Sequence, residues 1–319
     1  MTSATRTVRD GAADGPGAGG SGIEAAAPMP VRVLALLTCF NRKPLTLACL
    51  DALAASAHEA GVQLDAVLVD DASPDGTAAA VRERFPWVEV LEGDGSLFWN
   101  RGMHRAFARG MERGADYYLW LNDDTHLVAG ALRSLLAQAA ELAQRDGRPA
   151  VLSGATAVPG SSTISYGGRV ATSRLKPFKF KLVWSEHEPV PITALEGNCV
   201  LIPQRIATAV GNLDPAFEHA MGDTDYGLRV LRAGFGLYVA KGVAGHCSPN
   251  PTHGTYFDTS LPLARRWKLI RSRKGLPVRS WLRFCSRHGG WLWPVYFAWP
   301  YFKVLATSLP GLLRPQRAR

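Results

Sequence analysis

Val31 to Leu37 is an unbroken apolar run, halted by Thr38, Cys39, Phe40, Asn41 and Arg42 and followed from Pro44 by an alanine- and leucine-rich stretch to about Ala60. The pattern predicts a strand, a loop and a helix. A second apolar run, Ala66 to Val69, ends in Asp70, Asp71, Ala72 and Ser73, and Pro74 and Asp75 open another helical stretch to Arg84. Val88 to Leu91 is a third short strand. Beyond the glycine-bearing segment Gly93 to Gly102, the residues Met103, Ala106, Phe107 and Met111 recur at helical spacing on one inner face. Tyr117 to Leu121 is apolar again, a helix is predicted over Ala129 to Arg145, and Ala150 to Leu152 starts the next strand.

Strands alternating with helices make an α/β protein with a doubly wound, mostly parallel sheet covered on both faces, whose ligand crevice lies at the carboxyl ends of the strands. Gly154 to Pro191 is less regular, rich in Ser, Gly and basic residues, and reads as hairpins or an acceptor-side insertion. Order returns at Leu195, with a strand at Val200 to Ile202, a short helix from Pro203, and a last helix through Arg232 closed by Gly234.

Composition sets the boundaries. The first 30 residues hold 16 Ala, Gly or Pro and few large apolar side chains, too little to offset the entropy of ordering, so 1–30 is read as disordered. It has no apolar core of a secretory signal. Residues 31–258 form the main domain, divided into halves 31–128 and 129–258, and 259–319 a helical tail. The five cysteines show no metal-type spacing and favour reduced thiols in a cytoplasmic setting. Of 36 basic residues, 13 fall between Arg265 and Arg319, where no acidic residue occurs after Asp258. The formal charge of +9 is therefore a property of the tail. Its cations are interleaved with Trp267, Trp281, Trp291, Trp293 and Trp299, which suits a membrane interface and not a nucleic acid.

The chemistry concentrates at strand ends. Asp123 and Asp124 follow the Tyr117 to Leu121 run directly, and adjacent carboxylates there serve either as helix caps or as ligands of a hard divalent cation with diphosphate oxygens. Asp223 and Asp225 fall at the start of the last helix, where one carboxylate suffices as a cap. His246, beside Gly245 and Cys247, is a further candidate, with His253 a weaker one.

Together these residues resemble family 2 glycosyltransferases of the GT-A fold over roughly Val31 to Asn250. Thr38 to Arg42 resembles the first nucleotide-binding loop, Val69 to Ser73 the Asp-Asp-x-Ser element, Asn122 to Asp124 the DxD motif, and Gly222 to Arg229 the Glu-Asp-x-Asp-Leu-x-x-Arg segment. Two departures are that Asn122 occupies the first DxD position and Gly222 stands where the family usually has Glu. The resemblance implies inverting transfer of a sugar from a nucleoside-diphosphate donor to a hydroxyl on a glycan or lipid-linked acceptor, in cell-envelope or polysaccharide biosynthesis. It implies Mg²⁺ or Mn²⁺ held by Asp124 and His246 with Asp123 near, and Asp223 as base, with Asp225 as the alternative. Thr38, Asn41, Arg42, Asp70, Asp71, Asn100, Asn122 and Asp123 would bind the donor, with Asp71 or Asp70 on its base. Rival readings are a nucleotidyltransferase, which would want a glycine-rich basic loop after the first strand, and a sugar-nucleotide or glycan-binding protein without chemistry.

Gly289 to Phe302 is free of charge, but its 14 residues include Pro294 and Pro300, and a spanning helix needs about 20 apolar residues. The tail is expected to lie on the inner face of the cell membrane, with Arg265 to Arg287 near anionic headgroups. The alternative is that its aromatics pack back on the main domain.

Overall fold

A computed structural model describes residues 29–173, 175–250 and 253–308. All but the last two residues of the segment 1–30 lie outside that range.

The first half alternates strictly: β1 (Arg32–Cys39), α1 (Lys43–Ala60), β2 (Gln63–Asp70), α2 (Thr77–Arg84), β3 (Val88–Glu92), α3 (Phe98–Arg113) and β4 (Tyr117–Leu121). A short β5 (His126–Leu127) precedes α4 (Ala131–Asp146), and β6 (Ala150–Ala157) follows. The predicted helix from Ala129 thus starts two residues later, because the chain first pairs β5 with the strand that carries His246. The irregular stretch resolves into β7 (Ile164–Tyr166), β8 (Gly168–Ser173), β9 (Lys176–Val183), β10 (Val190–Pro191) and β11 (Ala194–Leu195). Then come β12 (Cys199–Pro203), α5 (Gln204–Val210), α6 (Gly222–Arg232) and β13 (Gly236–His246). The tail is helical: α7 (Leu263–Ile270), α8 (Val278–His288) and α9 (Trp293–Ala306).

The main sheet runs β10-β13-β6-β12-β4-β1-β2-β3, and β11-β8-β9 form a separate antiparallel sheet. Strands β3, β2, β1 and β4 are parallel, with β1 between β2 and β4. The chain crosses over in opposite directions on either side of β1, so the carboxyl ends of β1 and β4 flank a topological switch point, where open α/β sheets bind ligands. Both β1 and β2 are buried on both faces, which explains their continuous apolar runs.

Antiparallel pairing occurs at the short strands β5, β7 and β10 and once inside the sheet. β12 lies antiparallel between β4 and β6, pairing Cys199 with Leu121. Its amino end therefore meets the carboxyl end of β4, and Glu196, Gly197 and Asn198 are delivered into the crevice, with Asn122 N donating to Asn198 O at 3.0 Å.

The core has two layers, one on each sheet face. In the layer that carries the site, Phe107, Trp120 and Tyr226 pack with rings 4.8 to 6.1 Å apart, joining α3, β4 and α6. Such aromatic pairs add about 0.5–1.5 kcal/mol each beyond burial, so α6 is fixed against the sheet.

A third cluster corrects the picture of the tail. Trp281 and Phe284 of α8 pack with Phe178 and Phe217 of the main domain, and Trp293, Tyr296, Phe297 and Tyr301 close over them. These tail aromatics are a core, while Trp291, Val295, Trp299, Phe302 and Leu305 remain exposed. Among the described residues no helix is long and apolar enough to cross a membrane.

Candidate active site

At the switch point the loop after β1 meets the loop after β4. Arg42 Nη1 lies 3.2 Å from Asp123 Oδ1 and 2.7 Å from Asp124 Oδ2, so one guanidinium holds both carboxylates. Asp123 is 5% exposed and its Oδ2 is buried without a partner. Burial pushes the Asp123 carboxyl up to about 7, with Asp124 adding repulsion and Arg42 opposing. A buried oxygen left unsatisfied beside a second carboxylate is costly unless a cation completes it. Two carboxylates with substrate phosphates are also a donor set that Mg²⁺ accepts, so the residues fit a hard divalent ion.

His246 Nδ1 is also buried without a partner. Among the described residues no group of three or more His, Cys, Asp or Glu is arranged to hold a metal, and the residue of this segment that touches Asp124 is Cys247, at 3.5 Å. Register explains it: β13 ends by pairing His246 with His126, and the chain turns toward Asp124 only at the next residue. A ligand role for His246 therefore stays an expectation from the family resemblance, while Asp123 and Asp124 are the carboxylates that this structure brings together.

Asn122 Oδ1 accepts from Trp99 Nε1 at 2.7 Å, so it ties α3 to β4. Trp99 in turn fills the space beside Gly197, where any Cβ would lie 2.2 Å from the ring. Gly197 N donates to Asp223 Oδ2 at 3.2 Å. A continuous chain of contacts thus runs from the Arg42 corner through Asn122, Asn198 and Gly197 to Asp223. Trp99 and Gly197 were both visible in the sequence, but no local pattern marks an indole that packs on a glycine a hundred residues away.

Asp223 is half-buried in the first turn of α6. Burial pushes its carboxyl up to about 6 and Glu196 adds to this, against hydrogen bonds from Thr224 N and Gly197 N. That is the property of a general base working near neutral pH. Asp225 differs in every respect. It is fully buried, with Oδ2 2.8 Å from Arg229 Nε and Oδ1 2.7 Å from Arg287 Nη1 and 2.8 Å from His288 Nε2. Its lone pairs are committed to cations of α6 and α8, so a catalytic role for Asp225 is withdrawn.

Several predicted donor ligands hold the protein itself. Asp71 accepts from Gly95 N, Leu97 N and Phe98 N at 2.8, 3.0 and 3.1 Å, filling most of its acceptor positions with one loop. Asp70 is 2% exposed and accepts from Ser73 N. Asn100 is wholly buried and donates to Asp214 O and Phe217 O, holding the loop before α6. Thr38 is buried beneath Gly102 of α3. Phe40, Asn41 and Arg42 of the first loop are exposed, and of these Asn41 and Arg42 carry polar side chains for a ligand.

Backbone strain marks the same place. The non-glycine residues with positive φ among those described are Asn41, Ala72, Phe98 and Met221, at 54°, 60°, 57° and 75°. They fall in the loops after β1 and β2, at the start of α3 and just before α6. Such conformations cost roughly 1–3 kcal/mol each and cluster where side chains must be aimed.

Gly222 has a packing reason. A Cβ there would lie 1.6 Å from Asn100 Oδ1, so Asn100 occupies the space a longer side chain would need. Asn100 is pinned by its two hydrogen bonds, and Gly222→Ala is expected to cost about 1–3 kcal/mol as overpacking, read as a lower urea midpoint. A midpoint equal to the parent's would mean that Asn100 moves aside freely.

The family model described as glycosyl transferase family group 2 matches residues 119–316, more than half of the chain, and that of glycosyl transferase family 2 matches residues 35–169. The chain is a family 2 glycosyltransferase. It is 25% identical over 278 residues to the N-acetylglucosaminyl-diphospho-decaprenol L-rhamnosyltransferase of Mycobacterium tuberculosis (strain ATCC 25618 / H37Rv), covering 79% of this chain and 84% of that one. Among solved structures it resembles the mannosyltransferase PcManGT from Pyrobaculum calidifontis in complex with GDP-Man and Mn²⁺, with TM-score 0.51, 17% identity and coverage of 88% of this chain and 74% of that one. Residues 1–349 of S. aureus TarS give TM-score 0.50 at 11% identity, covering 88% and 76%. The fold of this family 2 enzyme is GT-A.

Proposed function

We propose that this glycosyltransferase moves a sugar, with inversion, from a nucleoside diphosphate to a hydroxyl of a lipid-linked acceptor, as the name of the mycobacterial relative describes for that protein, in cell-envelope or polysaccharide assembly. The observation that carries this reading is the line of contacts joining the Asp123–Asp124 corner to Asp223 across one crevice.

Arg42, Asn41 and Asp124 receive the diphosphate end of the donor. A divalent cation held by Asp123 and Asp124 would supply positive charge to the departing diphosphate. Bond breaking at the anomeric carbon gives an oxocarbenium-like state. Attack from the face opposite the leaving group places the acceptor hydroxyl on the α6 side, where the Asp223 carboxylate takes its proton. Gly197 N and Thr224 N hold that carboxylate in place.

The exposed stripe Trp291, Val295, Trp299 and Phe302 on and before α9 is read as the surface that rests on a bilayer.

Thermal unfolding with a panel of nucleoside diphosphates tests the donor side. One nucleotide is expected to raise the midpoint with Mn²⁺ present and not without it, since only a ligand bound to the native state stabilises it. Asp124→Asn should abolish that shift, and an undiminished shift in this variant would move the site elsewhere. Tight binding without sugar release would favour a binding module over an enzyme.

A further inference from the structure

The tail carries an arrangement of charge that the donor site does not use. A groove of about 610 Å³ lies between α7, the turn after it and the start of α8, lined by Glu218, Trp267, Lys268, Arg271, Ser272 and Arg279. A second hollow of about 640 Å³ shares Glu218, Arg271 and Ser272 with it and extends to Phe98, Arg273 and Lys274. Five cations therefore face one carboxylate. That carboxylate, Glu218, is already paired with Arg273 at 2.7 Å. Lys268, Arg271, Lys274 and Arg279 have no carboxylate partner among the described residues, and the chain supplies no acidic residue after Asp258. Concave, clustered cations of this kind concentrate an anion of high charge.

The groove is joined to the reacting centre on both sides. Glu218 belongs to the loop that runs through Met221 straight to Asp223, and Asn100 fixes that loop at Phe217. Phe98, whose ring lies 4.7 Å from the Arg273 guanidinium, has its amide on Asp71. An anion seated here lies beside the segment that carries the base.

We propose that this groove binds the diphosphate of a lipid-linked acceptor, so that the sugar attached to the diphosphate presents its hydroxyl to Asp223. The inference rests on the reading of the chain as a transferase to such an acceptor, and adds where the acceptor is held. Arg271 and Lys268 take the phosphate oxygens, Arg forming paired hydrogen bonds and Lys acting as a point charge. Trp267 gives an apolar wall to the first part of the lipid. Its ring lies 6.0 Å from Tyr301 of α9, the helix whose other side bears the exposed stripe, so groove and stripe are parts of one helical unit. Lipid leaving the groove is thereby close to the surface that meets the bilayer.

The test is binding of the full chain to phosphatidylcholine vesicles carrying decaprenyl diphosphate, compared with phosphatidylcholine–phosphatidylglycerol vesicles of equal negative charge. The parent is expected to prefer the diphosphate vesicles by about tenfold or more, a difference that paired contacts to one headgroup supply and diffuse attraction does not. Lys268→Glu with Arg271→Glu should remove the preference, while the nucleotide-dependent thermal shift persists as evidence of an intact fold. Trp299→Ser with Phe302→Ser should weaken both vesicle types together and keep their ratio. Equal affinity of the parent for both vesicles would reduce the groove to a general anionic-surface contact and overturn the proposal, as would a preference that survives the charge reversal. If the parent transfers sugar yet shows no preference, the groove alone fails; if it transfers none, the transferase reading fails.

Discussion

An Asp223→Asn variant is expected to lose about 10²- to 10⁴-fold in kcat, the usual contribution of a positioned base, while donor affinity is retained. The amide keeps the shape and takes no proton, but its single oxygen can accept only one of the hydrogen bonds that Gly197 N and Thr224 N make to separate carboxylate oxygens. The pH profile carries the same signature. Because burial pushes the Asp223 carboxyl up to about 6, the parent's kcat/KM should fall roughly tenfold per unit below that pH and level off above it. Stability runs the other way. A carboxyl raised in the fold is easier to ionise in the unfolded chain, so the native state weakens as pH climbs from the ordinary value near 4 to about 6. Asn removes that pH dependence, so the variant's stability should stay level between about pH 4 and 6, although its NH2 leaves one of the two backbone donors without an acceptor. Unchanged kcat, or an acid limb that persists in the variant's residual rate, would place the base elsewhere.

The second large effect is on folding. Asp225→Ala is expected to destabilise by about 3–5 kcal/mol, because it leaves Arg229, Arg287 and the buried His288 facing one another without their carboxylate. Burial alone would raise the Asp225 carboxyl, but the hydrogen bond from His288 and the charges of Arg229 and Arg287 outweigh it and hold it at about 2. Its stabilisation is therefore complete above the ordinary value near 4 and is lost as pH falls through 2. Urea midpoints across that range read it directly: the gap between parent and variant should narrow on acidification. A variant within experimental error of the parent at pH 7 would mean that the cluster is solvated.

Strand ends were legible in the sequence because an apolar run ending in Asp or Asn means the same thing in any parallel sheet. That reasoning put Asp123 and Asp124 at a strand end, and the structure adds that Arg42 of the loop after β1 meets them there. It could not say which polar groups face a ligand. Asp71 sits at a strand end just as Asp123 does, yet three amides of the following loop consume it, and only the tertiary path of Gly93 to Phe98 decides that. Asp223 and Asp225 lie two apart on a helix, about 200° around its axis, so they face opposite sides. One side is the crevice and the other is α8, which no local pattern announces. The antiparallel insertion of β12 was equally hidden, since a strand buried on both faces reads the same in either direction. In the tail, composition pointed to a membrane surface and missed the division of labour: Trp293, Tyr296 and Phe297 turn inward while Trp291, Val295 and Trp299 stay out.

The docking of α8 on α6 changes what a shortened chain would report. Trimming after Asp258 looks like a simple way to separate a catalytic body from a sticky appendage. It would also strip Arg287 and His288 from Asp225 and uncover Phe217, two residues before His219 and six before Asp223. The tail helices and the segment that leads to Asp223 share one set of bolts, and neither can be removed to study the other.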